Sequence, residues 1–406
     1  MAKIEEYAPA AGRSAIEELK LIASRLKDKT ILNVNSTAVG GGVAEILNRM
    51  LPLMTELGIK PRWELIKGGE DFYAVTKKFH NALHGTRQEL TPADFQLYRD
   101  TLSANMQTLN LDADIALIHD PQPAGLIDRK PAGAKWIWRC HIDLSNRQSD
   151  VWDFLHGYVS RYDAAVISAP SFSQRLPVKQ FQVPPSIDPL ADKNKELASE
   201  EVAAIMERLK IPLDKPLITQ VSRFDRLKDP LGVIEAFKKI QPYVTARLLL
   251  VGGSADDDPE GAEVLAEARA AAEGNPDILV LCLPPTSNIE INAIQRASAI
   301  ILQKSLKEGF GLTVSEALWK GKPVIAGAVG GIPLQITHKY SGILTRTIDG
   351  TAYWMKRLLH EPAYAKKLGE NGREHVRENF LLTRHLRDYL LLALYLEKGG
   401  QDFIHI

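Results

Sequence analysis

The residues best suited to chemistry lie between Gln303 and Gly331, in the stretch QKSLKEGFGLTVSEALWKGKPVIAGAVGG. Ile300–Leu302 reads as the end of a buried strand, Glu308–Gly309–Phe310–Gly311 as a glycine turn, and Leu312–Lys320 as a helix stopped by Gly321. A strand, a glycine loop and a helix N-terminus that converge in this way bind phosphate, because free backbone N–H groups and the positive end of the helix dipole point at the anion. Glu308 and Glu316 bracket the turn with seven residues between them. Two carboxylates would repel a phosphate, so they suit the hydroxyl groups of a sugar better. Two further polar clusters follow apolar runs: His119–Asp120–Pro121–Gln122–Pro123, and Arg139–Cys140–His141–Ile142–Asp143–Leu144–Ser145. In an open α/β sheet, ligands sit outside the carboxyl ends of the strands. Packing alone seldom requires a buried strand to finish in His-Asp.

The elements that position these residues are legible as alternating strands and helices. Residues 14–28 form an amphipathic helix, with Ile16, Leu19, Ile22, Ala23 and Leu26 on one face. Thr30–Asn35 is a strand, Ser36–Gly42 a polar glycine-rich loop, Val43–Leu57 a helix and Ile59–Ile66 a strand, which makes a Rossmann-type βαβ opening. The triple glycine Gly40–Gly41–Gly42 is not the dinucleotide fingerprint, and no acidic residue closes the next strand in the dinucleotide manner, which disfavours a nicotinamide cofactor and an oxidoreductase. These glycines suit a backbone that passes close to something bound. Helices over Phe72–Leu83 and Pro92–Leu109 precede strands Ala113–His119 and Lys135–Cys140, and Ala164–Ile167 is expected as the last strand of the first half.

The proline-rich run Val183–Pro189 reads as a linker, and residues 193–211 as a polar helix beyond it. A second series follows, with strands Leu217–Val221, Ala246–Val251, Ile278–Leu283 and Pro323–Ala326 and helices Leu231–Ile240 and Ile289–Ala297, and the chain is mostly helical from Asp349 to Lys398. The expected domains are 1–190 (N-terminal, Rossmann-like), 191–382 (C-terminal, Rossmann-like), and 383–406, a helix crossing back to the first domain. The fold class is α/β.

Composition bounds the partners. The 406 residues carry no formal net charge, which argues against a nucleic-acid or membrane surface as main partner. Met1–Lys20 lacks the apolar core of a signal peptide, and Leu390–Leu396 is too short to span a bilayer. Cys140 and Cys282 both sit in apolar strands, so buried free thiols in a reducing cytoplasm are expected. Asp256–Asp257–Asp258, in a Pro- and Gly-bounded loop with no His nearby, suits a solvated turn better than a metal cage.

The Glu-x7-Glu spacing followed by Gly330–Gly331 resembles the retaining, nucleotide-sugar-dependent glycosyltransferases of the GT-B family, which also contains sucrose and glycogen synthases. Narrower strings resemble the trehalose glycosyltransferring synthases of family 4: Asn33–Thr37 with Gly40–Leu47, His119–Pro123, Trp138–Ser145 and Pro184–Leu190, in order and at similar separations. The resemblance covers nearly the whole chain. It implies two Rossmann-like domains facing across a cleft, and a reversible transfer from NDP-glucose to glucose that gives α,α-trehalose, with ADP, UDP or GDP left open by the Pro284–Pro285 departure.

By that resemblance Arg223 and Lys228, five apart after a strand, hold the donor phosphates as fixed cations in place of a metal. Glu316 binds the ribose hydroxyls and Glu308 lies near the donor sugar. The N–H groups around Leu312 and Thr313 cradle the distal phosphate, with Gly309, Phe310 and Gly311 forming the loop and Gly41 and Gly42 close to the donor. His141 contacts the transferred sugar and Asp120 the acceptor hydroxyl, with Asn35, Gln122, Arg139 and Asp143 as further acceptor residues. No carboxylate nucleophile of the hydrolase kind is identified. The family is thought to react on one face of the sugar, with the leaving phosphate deprotonating the acceptor. No metal or cofactor is required, the partners are glucose, nucleotide-glucose or trehalose, and a homodimer is allowed. Similar strings occur in retaining trehalose phosphorylases, whose leaving group is inorganic phosphate. A two-lobed sugar-binding protein is the non-enzyme alternative, disfavoured by the Arg223/Lys228 pair and the lack of an export signal. A GT-B-shaped epimerase is the third, and it would form no disaccharide.

Overall fold

The computed structural model describes residues 2–38, 41–253 and 259–399. Val39, Gly40 and the Asp256–Asp258 run lie outside the described residues. The chain divides into two units, residues 1–185 with 382–406, and residues 186–381.

The first unit is built on a parallel six-stranded sheet of order β2-β1-β3-β4-β5-β6, with β1 Thr30–Asn35, β2 Lys60–Leu65, β3 Ile115–His119, β4 Lys135–Arg139, β5 Ala164–Ile167 and β6 Lys179–Gln182. The inner strands are buried almost throughout, as their mostly apolar sequences demand, and β1 also buries the polar Asn33 and Asn35. The edge strands β2 and β6 are only half-buried. The order reverses between β1 and β3, so the switch point lies where Asn35 and His119 end their strands. Helices Gly41–Glu56, Glu70–Leu83, Pro92–Thr108 and Ser149–Val159 connect the strands. The C-terminal helix Leu382–Glu397 packs on the Arg13–Ser24 helix of the same unit. Arg384 anchors it by donating to the Pro184 carbonyl at 2.9 Å and the Pro185 carbonyl at 3.3 Å.

The second unit carries a parallel six-stranded sheet of order β12-β11-β10-β7-β8-β9, formed by β7 Leu217–Val221, β8 Arg247–Gly252, β9 Ile278–Cys282, β10 Ile300–Gln303, β11 Val324–Gly327 and β12 Ile343–Thr345. This is the doubly wound Rossmann order, with its switch point between β7 and β10. Arg223 and Lys228 follow β7, and Glu308 follows β10, so topology alone brings residues eighty positions apart to one crevice.

Three sequence expectations are corrected. Ala164–Ile167 is not the last strand of the first half, because β6 follows it. Its sequence, KQFQ, offers one apolar side chain, and a half-exposed edge strand needs no more. The polar helix is confined to Ser199–Arg208 instead of 193–211. The residues before it are held as irregular backbone by Asn292, which donates to the Asp192 and Lys195 carbonyls at 2.8 Å, and by Arg296, which donates to the Lys195 carbonyl at 2.9 Å. Cys140 is a buried free thiol, but Cys282, on edge strand β9, is only half-buried. Among the described residues no helix is long and apolar enough to cross a membrane.

Candidate functional site

In the first unit the polar strand ends converge. Asp120 follows β3 with φ 67°, a left-handed conformation that Asp and Asn tolerate better than most residues. The conformation is fixed from three sides. The Asp120 N–H donates to the Arg139 carbonyl at 2.7 Å, its carbonyl accepts from Trp138 Nε1 at 3.1 Å, and its Oδ1 accepts from the His141 N–H at 2.7 Å. Backbone held in a sparsely populated region by its surroundings is a feature of functional sites. Burial pushes the Asp120 carboxyl up to about 6, against the opposing pull of the His141 N–H and the Arg139 guanidinium. Tyr98 secures the loop that follows: its hydroxyl donates to the Pro121 carbonyl at 2.8 Å and accepts from the Gly125 N–H at 3.0 Å.

His119 and His141 meet at 3.1 Å, Nδ1 to Nε2, and His119 Nε2 lies 3.1 Å from Asn33 Oδ1. Burial, with the Arg139 charge second, pushes His119 down to about 3 and His141 well below the ordinary histidine range. Both rings are therefore neutral at physiological pH.

The five residues expected at the acceptor are not alike. Asp120 and Gln122 keep partial exposure. Asn35 is buried with its amide engaged, accepting from Trp63 Nε1 at 2.7 Å and donating to the Thr37 carbonyl at 2.7 Å. Asp143 is buried and accepts from the Ser145 N–H at 2.9 Å and its hydroxyl at 2.5 Å, so it shapes its own turn. Arg139 has no exposed surface, and its Nη2 donates to Ser168 Oγ at 3.1 Å. The other two Arg139 nitrogens, Nε and Nη1, are buried without a partner. Gly42 stands exposed in the first turn of the Gly41–Glu56 helix.

In the second unit Lys228 and Glu308, both expected at the site, form an ion pair at 2.5 Å with side chains only 16% and 11% exposed. Glu308 also accepts from Ser305 Oγ at 3.1 Å and Gln303 Nε2 at 3.3 Å. Arg223 is 67% exposed, 3.5 Å from Asp225, so its guanidinium stands open to an incoming anion. The glycines of the turn are sterically required. Gly311 caps the Leu312–Trp319 helix at φ 78°, and a Cβ on Gly330, at φ 55°, would collide with the Glu308 carbonyl. Val314 N–H is engaged by the Gly311 carbonyl at 3.0 Å and Ser315 N–H by Gln335 Oε1 at 3.0 Å. That leaves the Leu312 and Thr313 N–H groups facing out of the helix start. Glu316 is buried, 3.6 Å from Lys193.

Sequence reasoning marked His119 only as part of a polar strand end and gave no role to Asn33, Lys304 or Gln335. Lys304 pairs with Asp229, which caps the Pro230–Ile240 helix by accepting from the Gly232 N–H at 3.1 Å. Gln335 donates to the Phe310 carbonyl at 2.5 Å and so ties the glycine turn to the helix it opens. Polar residues in the middle or at the end of apolar strands, as Asn33 and His119 are, carried the only available signal.

Family models match both units: "Trehalose synthase, N-terminal domain" over residues 33–174 and "Glycosyl transferases group 1" over residues 201–375. The trehalose synthase of Thermococcus litoralis is 43% identical over 394 residues, covering 96% of each chain. The chain belongs to the trehalose synthase family. The trehalose synthase of Rubrobacter xylanophilus is 41% identical, again over 96% of each chain. A sucrose-phosphate synthase structure from Thermosynechococcus elongatus superposes with a TM-score of 0.70 at 18% identity, covering 91% of this chain and 100% of that one, which shows the GT-B fold. A member of this family with this fold is a glycosyltransferase of trehalose-related glycosyl transfer. Among the described residues no cluster of His, Cys, Asp and Glu suited to a metal occurs.

Proposed function

We propose that the chain is a retaining glucosyltransferase that forms α,α-trehalose from a nucleoside-diphosphate glucose and glucose, reversibly and without a metal. The observation that carries this reading is the crevice at the β7/β10 switch point. There Arg223 is open, Lys228 is held by Glu308, and the N–H groups of Leu312 and Thr313 are free of helix partners. Those groups suit a diphosphate whose negative charge grows as the sugar leaves. In the reaction the bond from the anomeric carbon to the diphosphate oxygen breaks and a bond to the anomeric hydroxyl oxygen of glucose forms on the same face. The hydroxyl proton passes to the departing phosphate. Lys228 exchanges its carboxylate partner for phosphate oxygen, which frees Glu308 to meet sugar hydroxyls. Glu316 takes the ribose hydroxyls. In the first unit His141 meets the transferred sugar, while Asp120 and Gln122 take the acceptor.

The test is a product assay. The chain is incubated with glucose and, separately, ADP-, UDP- or GDP-glucose, or glucose 1-phosphate, and the disaccharide and its anomeric configuration are read by NMR. α,α-Trehalose from a nucleotide sugar supports the reading and ranks the bases. Trehalose only from glucose 1-phosphate makes the chain a phosphorylase, and no disaccharide in any tube removes the acceptor assignment.

A further inference from the structure

Asn33, His119 and His141 form a line of hydrogen bonds that leads from the buried middle of β1 to the carboxyl end of the sheet. Asn33 has no exposed surface, His119 is 3% exposed and His141 is half-buried. The two imidazole planes are inclined by only 20° and their centroids are 5.4 Å apart, while the facing nitrogens are 3.1 Å apart. The centroid separation exceeds the nitrogen separation by about two ring radii, so the rings lie edge to edge and nearly in one plane. That is the arrangement of an N–H···N bond, and not of stacked faces.

A neutral imidazole has one N–H and one lone pair, and the partner of one nitrogen decides what the other can do. Asn33 Oδ1 only accepts. With the Asn33 amide placed so that Oδ1 faces it at 3.1 Å, and Asn33 Nδ2 buried without a partner, His119 Nε2 carries the proton. His119 Nδ1 is then a lone pair, so the bond to His141 requires the proton on His141 Nε2. The remaining nitrogen, His141 Nδ1, has no protein partner among the described residues and is not enclosed. Neutrality of both rings is part of the arrangement, since a second proton on His119 Nδ1 would set two N–H groups against each other and one on His141 Nδ1 would take up the free lone pair. The buried Arg139 guanidinium opposes that second proton.

We propose that Asn33 and His119 are positioning residues that lock His141 in its Nε2–H tautomer, so that His141 Nδ1 presents a lone pair that accepts a hydrogen bond from a substrate hydroxyl. The polarity of the line stands on the geometry of the first unit alone. Its use on a sugar hydroxyl rests on the proposed function. A site of this kind selects a ligand with a hydroxyl at that position. A fluorine or methyl ether there would leave the lone pair facing an acceptor.

The experiment uses the full chain labelled with 15N-histidine. Long-range 1H–15N spectra distinguish the ring tautomers, and the two residues are assigned by comparison with His119→Asn and His141→Asn. The expected result is Nε2–H on both rings, unchanged in Asn33→Asp, which keeps an acceptor facing His119. In Asn33→Leu the fixed tautomer of His141 is lost and kcat/KM for the sugar donor falls about tenfold, the size of one lost hydrogen bond. Nδ1–H on His141 in the unmodified protein, or a tautomer in Asn33→Leu identical to that of the parent, overturns the proposal. The spectra need no turnover. A chain that shows the expected tautomers but makes no disaccharide refutes the proposed function and leaves the line of hydrogen bonds standing.

Discussion

Replacing Lys320 by methionine should remove a large part of the pH dependence of stability above neutrality. Lys320 follows the last turn of the Leu312–Trp319 helix and is 7% exposed. Its Nζ donates to the Glu316 carbonyl at 3.1 Å and to Asn194 Oδ1 at 3.2 Å, two acceptors that a neutral amine satisfies as well as an ammonium. Burial pushes its pKa down from 10.5 to about 7. Arg296 and Lys193 assist, and Glu316 and Glu196 oppose. Above about pH 7 the folded chain has released this proton, whereas the unfolded chain keeps it until about pH 10.5. The unfolded state binds more protons throughout that window, so stability rises with pH, by about 3 kcal/mol between roughly pH 6 and pH 9.5. In Lys320→Met the two hydrogen bonds disappear at every pH, a constant offset of about 1 kcal/mol each, and the slope disappears with the amine. The assay is urea unfolding of parent and variant across that range. Two parallel profiles would refute the reasoning, because they would mean that Lys320 keeps an ordinary pKa in spite of its burial.

Arg223→Ala and Lys228→Ala should each lower kcat by roughly 10²–10³, as expected when one fixed charge on a developing oxyanion is removed. The exposed Arg223 should leave the melting temperature unchanged, and undiminished turnover in both variants, measured as NDP release, would remove the phosphate assignment. Asp120→Asn keeps a side chain that tolerates the left-handed backbone. The carboxyl of Asp120, raised from 3.8 to about 6, makes the folded state lose stability as pH rises between those values. The variant should therefore gain stability relative to the parent on going from about pH 4 to about pH 6 by thermal melting, while trehalose formation falls. Turnover should survive metal stripping and EDTA. Complete loss, restored by magnesium or manganese, would return a metal to the mechanism.

The second unit shows how far spacing can be read. Gly309 and Gly311 announced a backbone turn at the start of a helix, and the structure holds Gly311, like Gly330, in a left-handed conformation that other residues adopt with strain. The strands that precede Arg223 and Glu308 were legible as largely apolar runs because both faces are buried, although β7 also buries Thr219 and Gln220 and β10 buries Gln303. Edge strand β6 and the irregular segment around Lys193 were not legible. Their conformations are set by neighbours on other elements, namely β5, Asn292 and Arg296. Asn35, Arg139 and Asp143 were placed at the ligand by their motif, and their burial and their hydrogen bonds to Trp63, Thr37, Ser168 and Ser145 come only from the structure.

The sequence by itself determined the alternation of elements, the two Rossmann-like halves and the strand ends at which chemistry is expected, because periodicity, glycine and proline act over a few residues. Tertiary structure alone decided which of those ends meet. The pairing of Lys228 with Glu308, the alignment of Asn33, His119 and His141, and the depressed pKa of Lys320 all arise from parallel strand order and burial. Such contacts join residues far apart in the chain, and a hydrogen bond or a desolvated charge depends on distances that no local pattern encodes.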